Sequence, residues 1–101
     1  MLREAEYGVA IKSWGSEDTR RLFETGKCRF SGLDVEKAGR RLATLHAAQR
    51  LDQISPLKSV GLHALTGDRK GQWAMTINGP WRLCFRFRDG HAYDVEIVDY
   101  H

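Results

Sequence analysis

The sequence predicts an α+β fold in which two N-terminal helices pack on one face of a small antiparallel sheet. Apolar residues recur every three or four positions in the first half of the chain, which is the period of an amphipathic helix. In the second half they alternate with polar residues, as in a half-buried strand. At 101 residues the chain has room for one such domain.

The first half predicts a short strand followed by two helices. Residues 9–14 are rich in strand-forming side chains. A short helix begins at Ser16, whose hydroxyl can cap it, and ends at Gly26. Asp34 caps a longer helix that extends to about Ile54. We expect its buried face to consist of Val35, Ala38, Leu42, Leu45 and Ala48, with Glu36, Lys37, Arg40, Arg41 and Arg50 covering the rest.

The second half predicts three strands, at residues 72–77, 81–87 and 92–98, joined by three-residue turns at 78–80 and 89–91. Alternation divides their side chains between two faces. The predicted inward residues are Trp73, Met75, Ile77, Trp81, Leu83, Phe85, Phe87, Tyr93, Val95 and Ile97. The predicted outward residues include Arg82, Cys84, Arg86, Asp94 and Glu96.

The turn lengths also predict which outward residues face each other. With three-residue turns, Arg86 lies opposite Asp94, where a surface ion pair is expected. Arg82 lies between Thr76 and Val98, with no carboxylate directly opposite. An outward arginine on a central strand without an acidic partner is available to bind a phosphate.

The charge distribution is more informative than the total charge. The chain has 16 basic and 13 acidic residues, a net charge of +3 that many proteins without a nucleic-acid partner share. Between positions 69 and 88, however, no acidic residue occurs and five basic ones do: Arg69, Lys70, Arg82, Arg86 and Arg88. Such clustering favours a polyanionic partner.

The chain ends in Asp99, Tyr100 and His101, three side chains that can hold or transfer protons. A frayed tail is the alternative interpretation. His63 lies on an extended stretch before the sheet, where it is either functional or a structural histidine. The histidines and cysteines lack the close spacing of metal ligands, so we expect no metal site. The sequence has no P-loop, GxSxG or Rossmann motif, and we expect no cofactor.

Several features indicate a cytoplasmic protein without membrane association. The apolar runs are too short for a transmembrane helix, and the N-terminus lacks the apolar core of a secretory signal. Cys28 and Cys84 form no CxxC pair and are expected to be reduced thiols. We expect residues 1–10 to be a flexible leader and residues 11–101 to form the single domain.

Three segments together resemble the HigB toxins of type II toxin–antitoxin systems, within the RelE superfamily. They are residues 62–73 (LHALTGDRKGQW), 81–85 (WRLCF) and 95–101 (VEIVDYH). The resemblance implies a ribosome-dependent mRNA endonuclease that is neutralised by a HigA-like helix-turn-helix antitoxin. It also implies a set of active-site residues: His63, Arg69, Arg82, Asp99, Tyr100 and His101.

Two positions depart from that family's pattern. Relatives often carry a lysine where Thr66 stands. The absence of this cation predicts weaker binding of mRNA or slower cleavage. Relatives also tend to begin near Ile11, so residues 1–10 are consistent with an upstream start codon.

RNA cleavage without a metal needs a base for the 2′-hydroxyl, cations for the phosphorane and an acid for the 5′-oxygen. Arg69 and Arg82 suit the phosphorane because guanidinium binds phosphate oxygens bidentately. His63 and His101 are the acid–base candidates, and the sequence leaves open which is which.

The remaining candidates have supporting roles. Asp99 would orient a histidine or share its proton, and Tyr100 would stack on a base or position the 2′-hydroxyl. Lys70 and Arg88 are candidate RNA-binding residues. Two other classes of function stay open: a non-catalytic RNA- or ribosome-binding domain, and a purely structural interaction module.

Overall fold

The computed structural model describes residues 10–54 and 60–100. The predicted leader therefore lies outside the described residues, except for its last residue, Ala10. Two helices come first and four strands follow, in an antiparallel sheet with the order β1-β2-β3-β4, so the predicted α+β fold is confirmed. The elements are α1 (Glu17–Thr25), α2 (Val35–Ala47), β1 (His63–Ala64), β2 (Trp73–Asn78), β3 (Trp81–Arg88) and β4 (His91–Asp99). Short 3-10 helices occur at Leu51–Gln53 and Gly67–Arg69.

Helix α1 begins and ends where the sequence predicts. The Ser16 hydroxyl accepts a hydrogen bond from the backbone N–H of Thr19 at 3.2 Å and so caps the first turn. Gly26 ends the helix in the left-handed conformation, with φ 78°, which a residue without a Cβ adopts at little cost. Leu22 is buried in the core.

Helix α2 starts at its predicted cap, Asp34, but it ends at Ala47, seven residues before the predicted end at Ile54. The backbone turns extended immediately after Ala47. The Gln53 side-chain oxygen accepts hydrogen bonds from the backbone N–H groups of Gln49, at 2.6 Å, and Arg50, at 3.2 Å. A side chain that binds these N–H groups replaces the helical acceptors, which accounts for the early end of the helix.

Arg41 was predicted to be a solvated residue of α2, and that prediction is wrong. Its side chain is buried, with 8% exposure. Its Nε donates a hydrogen bond to the backbone oxygen of Thr76 at 2.9 Å. Arg41 therefore ties α2 to β2 and belongs to the helix–sheet interface. Val35, in contrast, is 39% exposed, while Ala38, Leu42, Leu45 and Ala48 are buried as predicted.

Both hairpin turns contain two residues and not the predicted three. Asn78 pairs with Trp81 across the first turn, and Arg88 pairs with His91 across the second. In the second turn Asp89 and Gly90 both have positive φ, 52° and 79°, which is the requirement of a type I′ hairpin.

A bulge in each hairpin compensates for the missing turn residue. In β2 the register shifts between Thr76 and Asn78, so Arg82 lies between Thr76 and Val98 as predicted. In β4 the extra residue lies opposite the segment from Cys84 to Arg86. The two-residue turn pairs Tyr93 with Arg86 on the outward face, so the prediction that Tyr93 points inward is wrong. The bulge that follows returns Val95 to the inward face.

The core lies between the helices and the inner face of the sheet. Its fully buried members include Leu42, Leu45, Met75, Ile77, Leu83, Phe85 and Val95. The predicted first strand is reduced to two isolated parallel bridges along β4, Ile11 with Ala92 and Trp14 with Val95. None of the described helices is long and apolar enough to cross a membrane.

Candidate active site

The sheet face opposite the helices, called the outer face below, holds three of the predicted site residues, His63, Arg69 and Arg82. Register places His63, Ala74, Cys84 and Glu96 in one cross-strand row. The adjacent row contains Thr76, Arg82 and Val98. A small apolar cluster of Leu65, Ala74, Cys84 and Val98 forms the floor of this face. Cys84 is therefore directed outward as predicted, but it is buried within that cluster.

Arg82 is held against the turn between β2 and β3. Its Nη1 donates hydrogen bonds to the backbone oxygens of Gly79, at 2.7 Å, and Trp81, at 2.9 Å. Among the described residues it makes no ion pair, in agreement with its predicted position. Since one nitrogen makes both bonds, Nε and Nη2 remain to bind an anion.

Arg69 is the last residue of the short 3-10 helix between β1 and β2, and its side chain reaches across the sheet to β4. Its Nη1 donates to Oε1 of Gln72 at 3.0 Å and to Oε1 of Glu96 at 3.4 Å. The Arg69 and Glu96 side chains are 32% and 30% exposed. Arg69 of the basic stretch therefore forms an ion pair with an acidic residue of a distant strand. The sequence did not identify this residue, Glu96, as part of the site. Its outward position on β4 was the available signal.

Burial and three charged side chains shift the pKa of the Cys84 thiol. Burial raises the pKa of this thiol above its usual value, the positive charge of Arg69 lowers it, Glu96 raises it and Arg82 lowers it. Burial dominates, so the thiol stays protonated at neutral pH. The register agrees, since Arg82 lies two positions from Cys84 on β3, and Glu96, the partner of Arg69, lies opposite Cys84.

His63 lies on β1 in the same row as Cys84, with an exposed side chain. Its Nδ1 is 2.9 Å from the backbone oxygen of Gly61. A carbonyl can only accept, so Nδ1 carries the hydrogen, and Nε2 of the neutral imidazole holds the free lone pair. Each strand adds about 4.8 Å, so His63 on β1 is roughly 10 Å from the backbone of Cys84 on β3.

The end of β4 lies beside Arg82. Asp99 pairs with Trp81, one position before Arg82 on β3. The backbone N–H of Tyr100 donates to the backbone oxygen of Pro80 at 2.8 Å, and its side chain is 43% exposed. The frayed-tail alternative therefore does not hold for Asp99 and Tyr100. His101 lies outside the described residues.

The two predicted RNA-binding residues are not brought together. Lys70 is exposed at the end of the short 3-10 helix that contains Arg69. Arg88 is exposed at the far end of β3, six residues from Arg82, where its guanidinium carbon lies 4.8 Å from the centre of the Tyr93 ring. Thr66, which stands where a lysine was expected, is also exposed and precedes the same 3-10 helix.

Comparison with known proteins identifies the family. A family model described as the RelE-like toxin of type II toxin–antitoxin system HigB matches residues 12–101. The chain belongs to this HigB-like toxin family. A curated relative, the endoribonuclease HigB of Proteus vulgaris, is 35% identical over 94 residues, which cover 90% of this chain and 99% of that protein. The resemblance inferred from the sequence is confirmed.

Within this HigB-family chain, the three segments that carried the resemblance meet in space. Residues 62–73 lead from β1 into β2, residues 81–85 begin β3, and residues 95–101 include the end of β4. The sheet order and register bring them to the same end of the outer face. Among the described residues, no group of three histidine, cysteine or acidic side chains is placed to hold a metal ion.

Proposed function

We propose that this protein is a ribosome-dependent mRNA endonuclease, the toxin of a type II toxin–antitoxin system, neutralised by a HigA-like antitoxin. The observation that carries the proposal is the position of two arginines on the outer face, which also holds His63. Arg82 lies two positions from Cys84 on β3, and Arg69 pairs with Glu96, which lies opposite Cys84. Membership in the HigB-like toxin family supports the toxin class and an antitoxin partner. The endoribonuclease activity is supported by the relative from Proteus vulgaris.

In the proposed reaction the RNA 2′-hydroxyl attacks the neighbouring phosphorus, and the 5′-oxygen leaves with a proton. The dianionic phosphorane lies against Arg82, whose Nη1 alone makes the bonds to Gly79 and Trp81 and leaves Nε and Nη2 to donate to it. Arg69 supplies a second cation, partly balanced by Glu96. Two guanidinium groups replace the metal ion that other nucleases use for the same charge.

Proton transfer is assigned to His63 and His101. Nε2 of His63 has the free lone pair, because Nδ1 is bound to the Gly61 oxygen. Asp99 and Tyr100 come at the end of β4, which pairs with the start of β3 next to Arg82. We assign Asp99 to orienting the proton-transferring histidine, and Tyr100 to stacking on a base or positioning the 2′-hydroxyl.

Dependence on the ribosome is consistent with the open form of this site. His63 and Tyr100 are exposed, and the candidates lie on a sheet face. An open face does little to align a flexible RNA for in-line attack, and alignment supplies a large part of the rate in such reactions. A ribosome that holds the mRNA in a fixed conformation would supply that alignment.

The proposal is tested with purified protein and one defined mRNA, either bound to ribosomes or free. We expect rapid cleavage of the ribosome-bound mRNA only, with products that carry a 2′,3′-cyclic phosphate and a 5′-hydroxyl. A single 2′-deoxy substitution at the cleaved nucleotide is the matched control and should abolish cleavage. Products with a 3′-hydroxyl and a 5′-phosphate, or equally fast cleavage of free mRNA, would contradict the proposal.

A further inference from the structure

The far end of the outer face carries a second group of side chains that the proposed reaction does not use. We call Arg88, His91 and Tyr93 the turn-end cluster. The Arg88 guanidinium carbon lies 4.8 Å from the centre of the Tyr93 ring. The His91 ring meets the Tyr93 ring nearly at right angles, with centres 6.5 Å apart. Arg88 pairs with His91 across the hairpin, so the cluster is built on two adjacent strands.

The two-residue turn puts Tyr93 on the outer face, and the bulge in β4 that follows returns Val95 to the inner face. Asp94 has φ 55°, a left-handed conformation that residues other than glycine rarely adopt. Its backbone N–H donates to Oγ of Ser13 at 2.9 Å, and the next N–H, of Val95, donates to the Ser13 backbone oxygen at 3.1 Å. The Asp94 carboxylate forms an ion pair with Arg86 at 3.4 Å. Strained backbone held in place by several partners is typical of sites with a function.

Arg88 has the properties of a stacking platform. Its side chain is exposed, and among the described residues it makes no ion pair. One side of the guanidinium faces the Tyr93 ring, and a flat ligand can stack on the other. Proteins that bind single-stranded RNA stack unpaired bases on aromatic rings and on arginine planes in this way.

The cluster lies at a fixed distance from the candidate active site. Arg82 and Arg88 are six residues apart on the same strand, on the same face. At a rise of about 3.3 Å per residue their backbones are roughly 20 Å apart. A single nucleotide cannot span that distance, so a ligand that contacts both must be several nucleotides long.

We propose that the turn-end cluster is a second binding subsite for single-stranded RNA. It takes the base of a nucleotide several positions from the scissile phosphate, by stacking on the Arg88–Tyr93 pair. The distance argument rests on the proposed function, which places the scissile phosphate at Arg82. The stacking itself does not depend on catalysis, so binding can be tested separately.

The experiment measures the affinity of the full chain for 2′-O-methyl oligoribonucleotides, which lack the attacking hydroxyl and are not cut. Two lengths are compared, roughly three and roughly twelve nucleotides, below and within the ~4–16 nucleotide range of single-strand binding sites. We expect tighter binding of the longer oligonucleotide. Arg88→Ala and Tyr93→Ala should each weaken it by about 5- to 150-fold, the loss of one stacked base, and leave the shorter one unchanged.

Two variants serve as controls. Tyr93→Phe keeps the ring and should retain the affinity. Arg40→Ala removes an equal charge from α2, where Arg40 pairs with Glu36. The proposal is wrong if Arg88→Ala weakens binding no more than Arg40→Ala, if wild-type protein binds both lengths equally or neither, or if Tyr93→Phe loses as much as Tyr93→Ala. Arg88 is exposed, so its variant tests the proposal even if Tyr93→Ala fails to fold.

The outcomes also separate this inference from the proposed function. If the protein binds the longer oligonucleotide through Arg88 but does not cut ribosome-bound mRNA, the RNA subsite is confirmed and the proposed nuclease function is wrong. If the Arg88→Ala and Tyr93→Ala variants cut mRNA and bind RNA as the wild-type protein does, the subsite does not exist. If Arg88→Ala weakens only the complex with the antitoxin, the cluster is a protein contact and the inference is wrong.

Discussion

Arg69 and Glu96 form an ion pair across the outer face, with Nη1 and Oε1 3.4 Å apart, although 27 residues separate them in the chain. The pair reduces the net charge of the site where the sequence alone suggests an unbroken basic stretch. Arg82, which has no carboxylate partner among the described residues, is left as the cation most available to a phosphate. Of the two arginines, we therefore expect Arg82 to have the larger effect on catalysis.

Arg82→Ala should reduce the rate of mRNA cleavage on ribosomes by about 10²–10³-fold, the usual loss when one donor to a developing charge is removed. Single-turnover rates on a defined mRNA measure this effect. Arg40→Ala, which removes an equal charge from α2, should keep most of the activity. Equal losses in the two variants would show that Arg82 acts only through the net charge of the protein.

Glu96→Gln should strengthen RNA binding. The substitution keeps the size of the side chain but removes the charge that balances Arg69, while Gln72 still holds the guanidinium at 3.0 Å. The dependence of log affinity on log salt should become steeper by up to ~0.7, the contribution of one phosphate contact to a single strand. Stability should change by no more than about 1 kcal/mol, because the pair is partly exposed. Weaker binding with an unchanged slope would contradict this role.

The sequence predicted the elements whose signals are local. The caps at Ser16 and Asp34 and the alternation in β3 are properties of neighbouring residues, and they agree with the structure. The position of Arg82 between Thr76 and Val98 was also correct, since each bulge restores the parity that the shorter turn removes.

What the sequence did not predict depends on distant contacts. Tyr93 faces outward and Val95 inward because a bulge lies between them at Asp94, whose backbone N–H donates to Oγ of Ser13, 81 residues earlier. Arg41 is buried because a backbone oxygen of β2 accepts its hydrogen bond. Neither partner can be read from the pattern around the residue itself.

Arg41→Ala should destabilise the protein by about 2–3 kcal/mol. The substitution removes a charged donor from the Thr76 oxygen and leaves space at the interface between α2 and β2. Urea denaturation measures the change in the free energy of unfolding. Arg40→Ala, on the exposed side of the same helix, should change it by less than about 0.5 kcal/mol. Similar values for the two variants would place Arg41 outside the interface.

Cys84 should resist alkylation at neutral pH, whereas the half-buried Cys28 should react first. Burial raises the pKa of the Cys84 thiol, so the folded protein disfavours the reactive thiolate. A raised pKa in the folded state contributes stability below the pKa of the unfolded thiol. That contribution is lost as the pH rises through the folded pKa. Mass spectrometry after brief treatment with iodoacetamide follows both thiols. Faster labelling of Cys84 would contradict its burial.

The most direct test of the proposed catalytic end of the chain is the deletion of His101. A positioned acid or base contributes about 10²–10⁴-fold to a rate, whereas a terminal residue adds little to stability. The measurement is the single-turnover rate of mRNA cleavage on ribosomes by the full chain and by the chain ending at Tyr100, with ribosome binding determined in parallel. We predict a loss of about 10²-fold or more with unchanged binding. Full cleavage activity without His101 would contradict its assignment to proton transfer.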